Sequence, residues 1–229
     1  MSSKRKFFLI FCFCMLDAFL LVGFCVIRDA TLFNALQKEE EEILKLGLTN
    51  SNYRQIQSRG DYAIVEKAIK DYLRDYSTSL RNVLSIMDDE KLVSILSYDN
   101  YCQDGPEFQS SIAYLKKQKQ LFNEEVNVLL SKSEDVAIID GITKRSTDSY
   151  STELYKEFMM SVDMNKQFTE SREFLQLNKI RVNNIFDVSM ELLNFLAINK
   201  DSWKVEEGEI RFVTQDLYNQ YMSYISKLS

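Results

Sequence analysis

The sequence predicts an all-α protein: one N-terminal transmembrane helix, then an extracytoplasmic helical bundle with a small C-terminal β-hairpin. Three observations carry this. Six glycines and one proline in 229 residues favour long uninterrupted helices over a turn-rich β fold. Residues 7–27 form an apolar run with a single charge. Beyond the run, apolar residues recur at helical spacing until about residue 201, where the period changes to two.

The run FFLIFCFCMLDAFLLVGFCVI is 21 residues, or ~31 Å as a helix, matching a hydrocarbon core of ~30 Å. Fourteen of its residues are Phe, Leu, Ile or Val, worth about −4 to −8 kcal/mol on the insertion scale. Asp17 at its centre costs about 2.5–3.5 kcal/mol, so insertion still wins. Lys4, Arg5 and Lys6 precede the run, while Asp29 offsets Arg28. The positive-inside rule therefore puts residues 1–6 in the cytoplasm as a short tail and everything after the anchor outside the cell membrane. The sites for signal cleavage, Leu16-Asp17-Ala18 and Arg28-Asp29-Ala30, have the wrong −3 residue. Lipid modification of Cys25 needs a small residue before it, and Phe24 stands there. Asp17 is the intramembrane pairing candidate: either it inserts protonated without a partner, tolerated by its apolar neighbours, or, because lipid cannot satisfy a carboxyl, it hydrogen-bonds another membrane protein or a second copy of this chain.

Residues 28–48 read as a juxtamembrane helix. Leu32, Leu36, Glu39, Ile43 and Leu46 follow 4-3-4-3 spacing, which suits either a short coiled-coil neck or the first helix of the domain. Glu39 to Glu42 read as a solvated face, and Gly47 ends the helix. Residues 49–229 form the extracytoplasmic domain. Asp61 offers an N-cap to a long helix with Val65, Ala68, Ile69, Tyr72, Leu73, Tyr76, Leu80, Val83, Leu84 and Met87 on one face. Asp88-Asp89-Glu90 starts a short helix, Ser97 to Gly105 reads as a loop, and Pro106 opens the next helix. There Phe108, Ile112, Leu115, Phe122, Val126 and Leu129 keep heptad spacing, with Lys119 in the missing position, either pairing with a carboxylate or, as favoured, snorkelling outward.

Residues 131–147 are hard to read, with a break expected at Gly141. Thr147 or Asp148 caps a helix carrying Leu154, Tyr155, Phe158 and Met159. A longer helix, about 165–199, has Phe168, Leu175, Val182, Ile185, Leu192 and Leu196 as its buried stripe, widened by Phe174, Leu177, Val188 and Phe195. Residues 202–212 alternate around Glu206-Glu207-Gly208-Glu209 and read as a hairpin. Two strands alone are marginal in water, so Trp203, Val205, Ile210 and Phe212 are expected to pack on helices. Thr214 caps a last helix with Leu217, Tyr221, Tyr224, Ile225 and Leu228 on one face.

The segment NKDSWKVEEGEIRFVTQDLYNQYMSYI (199–225) resembles the end of an uncharacterised family of helical envelope lipoproteins of enteric bacteria. That family closes with an aromatic strand, a turn containing glycine, an Ile-x-Phe strand and a helix containing Tyr-Asn. The matching positions are Trp203, Gly208, Ile210, Phe212, Thr214, Tyr218 and Asn219. The resemblance implies a helical protein at a bacterial cell envelope, and it implies no activity. The family's lipid attachment is not matched at Cys25.

Composition narrows the function classes. The chain carries −6 overall while residues 1–28 carry +3, so residues 29–229 carry −9, a balance that opposes nucleic acid as a partner. Histidine is absent, which removes Ser-His-Asp and Cys-His catalysis and His-ligated zinc. Cys102 is the one cysteine beyond the apolar run, so no internal disulfide is available there. Aligned to an EF-hand loop, Asn100–Ser111 puts Cys102 and Ser111 where oxygen ligands and a bidentate glutamate are required. Asp88-Asp89-Glu90 reads as a helix cap. No phosphate-cradling glycine motif occurs. No catalytic, cofactor-binding or metal-binding residue is assigned. The expected function is a non-enzymatic interaction or structural module anchored in the lipid bilayer. The alternative is a ligand-sensing bundle signalling through a membrane partner, for which convergent polar groups in a cavity would speak. A carboxylate hydrolase would need two carboxyls across a cleft with one pKa raised.

Overall fold

The computed structural model describes residues 28–45 and 55–228. Residues 1–6, expected as a cytoplasmic tail, the apolar run with Asp17 and Cys25, and Gly47 lie outside the described residues. Among the described residues no helix is long and apolar enough to cross a membrane. The fold is mostly helical with one two-stranded hairpin near the C-terminus. It divides into two compact units, one made of residues 28–45, 55–74 and 138–165, the other of 75–137 and 166–228.

The first unit contains α1 (28–45), the first part of α2 (Asp61–Met87), most of α6 (Asp135–Thr143), α7 (Ser149–Met159) and the start of α8 (Val162–Ile198). The 4-3-4 seam of α1 is used inside the unit: Leu36 and Ile43 are buried, and Glu39 accepts a hydrogen bond from Lys70 of α2 at 2.7 Å. Of the two readings of residues 28–48, the first helix of a packed unit is therefore the one the seam serves. Nearer the start of α1, the Tyr62 hydroxyl donates to Asp29 at 3.0 Å and meets the Tyr150 hydroxyl of α7 at 3.2 Å.

Helix α6 corrects the expected break at Gly141, which sits inside it. Any Cβ at this position would run into the Tyr155 hydroxyl and lie 3.4 Å from the Tyr72 ring. The glycine admits the fully buried Tyr155 against the helix backbone, a packing role that its helix-breaking tendency conceals. At the start of α7 the Asp148 carboxylate accepts the Ser151 N–H at 2.8 Å, the expected cap.

The second unit contains the rest of α2, α3 (Glu90–Ser94), α4 (Tyr98–Asp104), α5 (Gln109–Lys132), most of α8, β1 (Trp203–Glu206), β2 (Glu209–Phe212) and α9 (Gln215–Leu228). The expected loop over 97–105 is helix α4, because the Ser97 side chain accepts from the Asn100 N–H and starts a turn. Helix α5 begins at Gln109 rather than at Pro106. Phe108 precedes it in the left-handed region, φ 53°, with no side-chain cap of its own, and Asp104 caps instead by accepting the Ser111 N–H at 2.7 Å. Lys119 does not snorkel: its ammonium donates to both Asp187 oxygens of α8, at 2.6 and 2.7 Å.

On α8 the buried stripe runs through Phe168, Leu175, Phe186, Val188, Leu192, Leu193, Phe195 and Leu196. Three expected members of the stripe, Phe174, Leu177 and Ile185, are exposed instead, Phe174 at 60 %. Over 37 residues a 3.6-residue helix drifts away from a strict heptad, so the buried face passes from Val182 to Phe186 rather than to Ile185.

The hairpin pairs Trp203 with Phe212 and Val205 with Ile210. Its two-residue loop, Glu207-Gly208, has φ of 54° and 78°, both positive as a type I′ turn demands. The Trp203 ring stacks on Phe108 at 5.9 Å between centroids and meets Tyr101 edge-on at 6.2 Å. Thr214 accepts the Leu217 N–H at 3.3 Å, capping α9 as expected. Tyr221 of α9 is buried, and Phe212 lies 5.4 Å from it between centroids.

Candidate functional site

A groove of about 310 Å³ lies in the first unit, with α1 as one wall and α7 plus the first turn of α8 as the other. It arises from the second stripe of α1. Leu36 and Ile43 are buried and Glu39 reaches Lys70 of α2, while Phe33, Gln37, Glu40 and Leu44 repeat at 4-3-4 spacing beside them and turn towards the groove. From α7 come Leu154, Glu157 and Phe158, one helical turn apart. Ser161 and Asp163 close the end.

The acidic run Glu39–Glu42 is therefore not one solvated face, as the sequence suggested, but three environments. Glu39 is salt-bridged to Lys70. Glu40 is half-buried in the groove, and Glu41 and Glu42 are exposed. Burial pushes the Glu40 carboxyl up from its ordinary value to about 7, and the Glu157 charge adds to the rise. Among the described residues, none of the four acids lining the groove (Glu40, Glu41, Glu157 and Asp163) makes an ion pair. The signal that could have found this site is the Phe-x3-Gln-x2-Glu-x3-Leu stripe of α1. In sequence it is masked by the stronger apolar seam next to it.

The Glu40 shift has a measurable consequence. Between pH 4.5 and about 7 the folded state holds a proton that the unfolded state has lost. Stability therefore falls as pH rises through this interval and stays lowered above it. Glu40→Gln removes the penalty. After discounting for the open side of the groove, the gain is about 1–2 kcal/mol above pH 7 and close to nothing at pH 4. Thermal melting of wild type and variant across pH 4–8 checks this; equal gains at both ends of the range would show that Glu40 does not hold a proton in the folded state.

The other charged cluster of the first unit is closed. The Lys70 ammonium donates to Glu39 at 2.7 Å, Glu66 at 2.6 Å and the Gln55 carbonyl at 2.8 Å. The Glu66 carboxylate also accepts the backbone N–H groups of Gln57 at 2.9 Å and Ser58 at 2.6 Å. Burial alone would pull the Lys70 ammonium down and the Glu66 carboxyl up. Their mutual hydrogen bond and those from Glu39 and the 57–58 backbone reverse both tendencies, leaving Lys70 raised and Glu66 lowered. With its hydrogen-bonding groups engaged in this way, the cluster binds 55–58 and α1 to α2 and offers nothing to a ligand.

Of the residues examined in the sequence for chemistry, Asp17 lies outside the described residues. Asp89 caps α3, accepting from the Lys91 and Leu92 N–H groups at 2.8 and 3.3 Å, and takes a hydrogen bond from the Tyr114 hydroxyl at 2.6 Å. Within Asn100–Ser111 the Asn100 amide donates to the Ile95 carbonyl at 2.7 Å and to the Ser111 hydroxyl at 3.0 Å, a helix-end network. Among the described residues, no group of three or more Cys, Asp or Glu side chains is placed to hold a metal ion. No protein-family model, curated protein or solved structure matches the chain.

Proposed function

We propose that this chain is a membrane-anchored protein of the bacterial cell envelope, held by residues 7–27 with its N-terminus in the cytoplasm, whose helical units form a non-enzymatic interaction module. One observation carries the reading. Helix α1 is present from residue 28, directly after the apolar run, and it is built into the first unit by Leu36, Ile43 and the Glu39–Lys70 ion pair. An anchor that leads straight into a packed helix fixes the unit against the membrane instead of tethering it on a flexible linker.

Topology tests this directly. Cys102 is exposed, so a membrane-impermeant maleimide applied to intact cells is expected to label a chain in which Cys12, Cys14 and Cys25 are replaced by alanine. The mature protein is expected to retain its first residues. Labelling only after lysis would reverse the orientation, and a mature N-terminus beyond residue 17 would end the anchor.

The groove favours a second reading, a ligand-sensing bundle. One wall of the groove is α1 itself, so an occupant would alter how tightly the helix that follows the anchor is held. A signal would pass sideways within the bilayer, where Asp17 is the group suited to pair with a partner or a second copy. Glu40 and Glu157 meet one requirement of a carboxylate hydrolase.

A further inference from the structure

The four acids of the groove come from three elements: Glu40 and Glu41 from α1, Glu157 from α7 and Asp163 from α8. No lysine or arginine lines it among the described residues. The less exposed acids Glu39, Glu66 and Asp71 of this unit are matched by bases, Glu39 and Glu66 by Lys70, and Asp71 by Arg74 and Arg145. The groove is therefore a place where negative charge is gathered on an apolar surface without a counter-charge. A metal ion alone fits poorly, because Phe33, Leu44, Leu154 and Phe158 supply no ligand atoms and the acids do not converge as a ligand set. About 310 Å³ is the lower end of small-molecule sites, too small for a folded partner.

We propose that the groove binds a small organic cation, an ammonium group on an apolar body, with the charge between Glu40 and Glu157 and the body against Phe33, Leu44 and Leu154. The inference rests on the ligand-sensing reading and supplies its ligand class. A cation fits on three counts: it balances the acids, it is attracted by aromatic ring faces, and its apolar part covers surface that is otherwise wet.

Proton release identifies such an occupant. The groups facing Glu40 are Gln37 and Glu41 from its own helix, Glu157 from α7 and Asp163 from α8, all neutral or negative. With its carboxyl held at about 7, Glu40 is about half protonated at pH 7, and an ammonium beside it favours the carboxylate. Binding therefore expels roughly half a proton at pH 7 and almost none at pH 8.5.

The test uses the full chain in nanodiscs of neutral lipid, titrated calorimetrically with benzylammonium and with benzyl alcohol in phosphate and in HEPES, whose ionisation enthalpies differ. Saturable binding of benzylammonium is expected, with benzyl alcohol at least tenfold weaker and apparent heats that differ between the buffers at pH 7. In Glu40→Gln the affinity is expected to fall about tenfold at pH 8 and the buffer dependence to vanish. Glutamine keeps the shape and removes a repelled charge, and melting at or above that of wild type confirms the fold. Equal binding of the alcohol, displacement of the amine by Ca²⁺ at equal concentration, or no saturable binding would each overturn the proposal. Hydrogen exchange of α1 separates it from the reading beneath it. Amine binding that leaves α1 exchange unchanged defeats the sensing role and keeps the site, whereas protection of α1 by a neutral ligand keeps the role and defeats the cation.

Discussion

Replacing Lys70 by methionine is expected to cost about 3–5 kcal/mol, the range for stripping one partner from a buried ion pair. The Lys70 and Glu66 side chains are 6 % and 1 % exposed, so the substitution leaves two carboxylates facing each other with little water to screen them. Methionine fills the same volume, which confines the loss to charge. The direction with pH follows from the shifts. Glu66 is lowered, so its contribution is present above the ordinary carboxyl value and is lost as pH falls through its folded value. Lys70 is raised, so its contribution is present below the ordinary ammonium value and is lost as pH rises through its folded value. The wild-type benefit therefore spans roughly pH 4.5–10.5. In the variant the orphaned carboxyls take up protons on acidification, so the gap to wild type narrows towards pH 4. Hydrogen exchange of the full chain reads this at the Gln57 and Ser58 amides, whose N–H groups bond to Glu66. Faster exchange there at pH 7, with melting lowered, is the expected result. A loss under 1 kcal/mol with no pH dependence would mean that the ion triad does not hold α1 and the 55–58 segment in place.

How much of this was legible in the sequence depended on whether a residue's role is local. Two caps and the hairpin turn were: Asp148, Thr214 and the Glu207-Gly208 turn obey rules that involve a few neighbouring residues, whereas Asp61, expected as an N-cap, is the first residue of α2 itself and the Ser97 cap was hidden in an expected loop. The face of α9 was legible too, because a short helix packed on one side has one unambiguous stripe. Residues whose roles depend on distant partners were not. Glu39 looked like an acidic intrusion in an apolar seam and Lys119 like a gap in a heptad. Each is completed by a residue far along the chain, Lys70 and Asp187. Glu66 and Lys70 sit four apart on α2 and could have been read as an exposed pair; nothing local says that they are buried. Gly141 carried the opposite sign, a breaker by composition and a packing contact for Tyr155 in three dimensions. The groove was least visible, since Glu157 is an ordinary surface acid until α1 is laid beside it.

Trp203→Ala is expected to cost about 3–5 kcal/mol in the second unit, the usual range for truncating a large packed aromatic. Three contacts add up at this residue. The indole stacks on Phe108, meets Tyr101 edge-on, and its N–H donates to the Leu196 carbonyl at 2.7 Å. That carbonyl belongs to the last turn of α8, where no further helical N–H is available to it. Removing the indole also uncovers Phe108, whose positive φ is strained for a bulky residue and persists only while packing fixes it. The loss should therefore reach back to the start of α5. Trp203→Phe separates the contributions: it keeps a ring on Phe108 and abandons the hydrogen bond, for an expected cost of about 1–2 kcal/mol. Deleting 201–229 takes away Ile210, Phe212 and Tyr221 as well and should leave an aggregating chain, because the aromatic surface of Phe108 and Phe195 becomes exposed. Denaturant unfolding of the full chain in detergent, followed by tyrosine fluorescence so that every variant has a probe, ranks the three. Near-equal midpoints for wild type, Trp203→Ala and the deletion would make the hairpin and α9 an appendage to the second unit instead of part of its core.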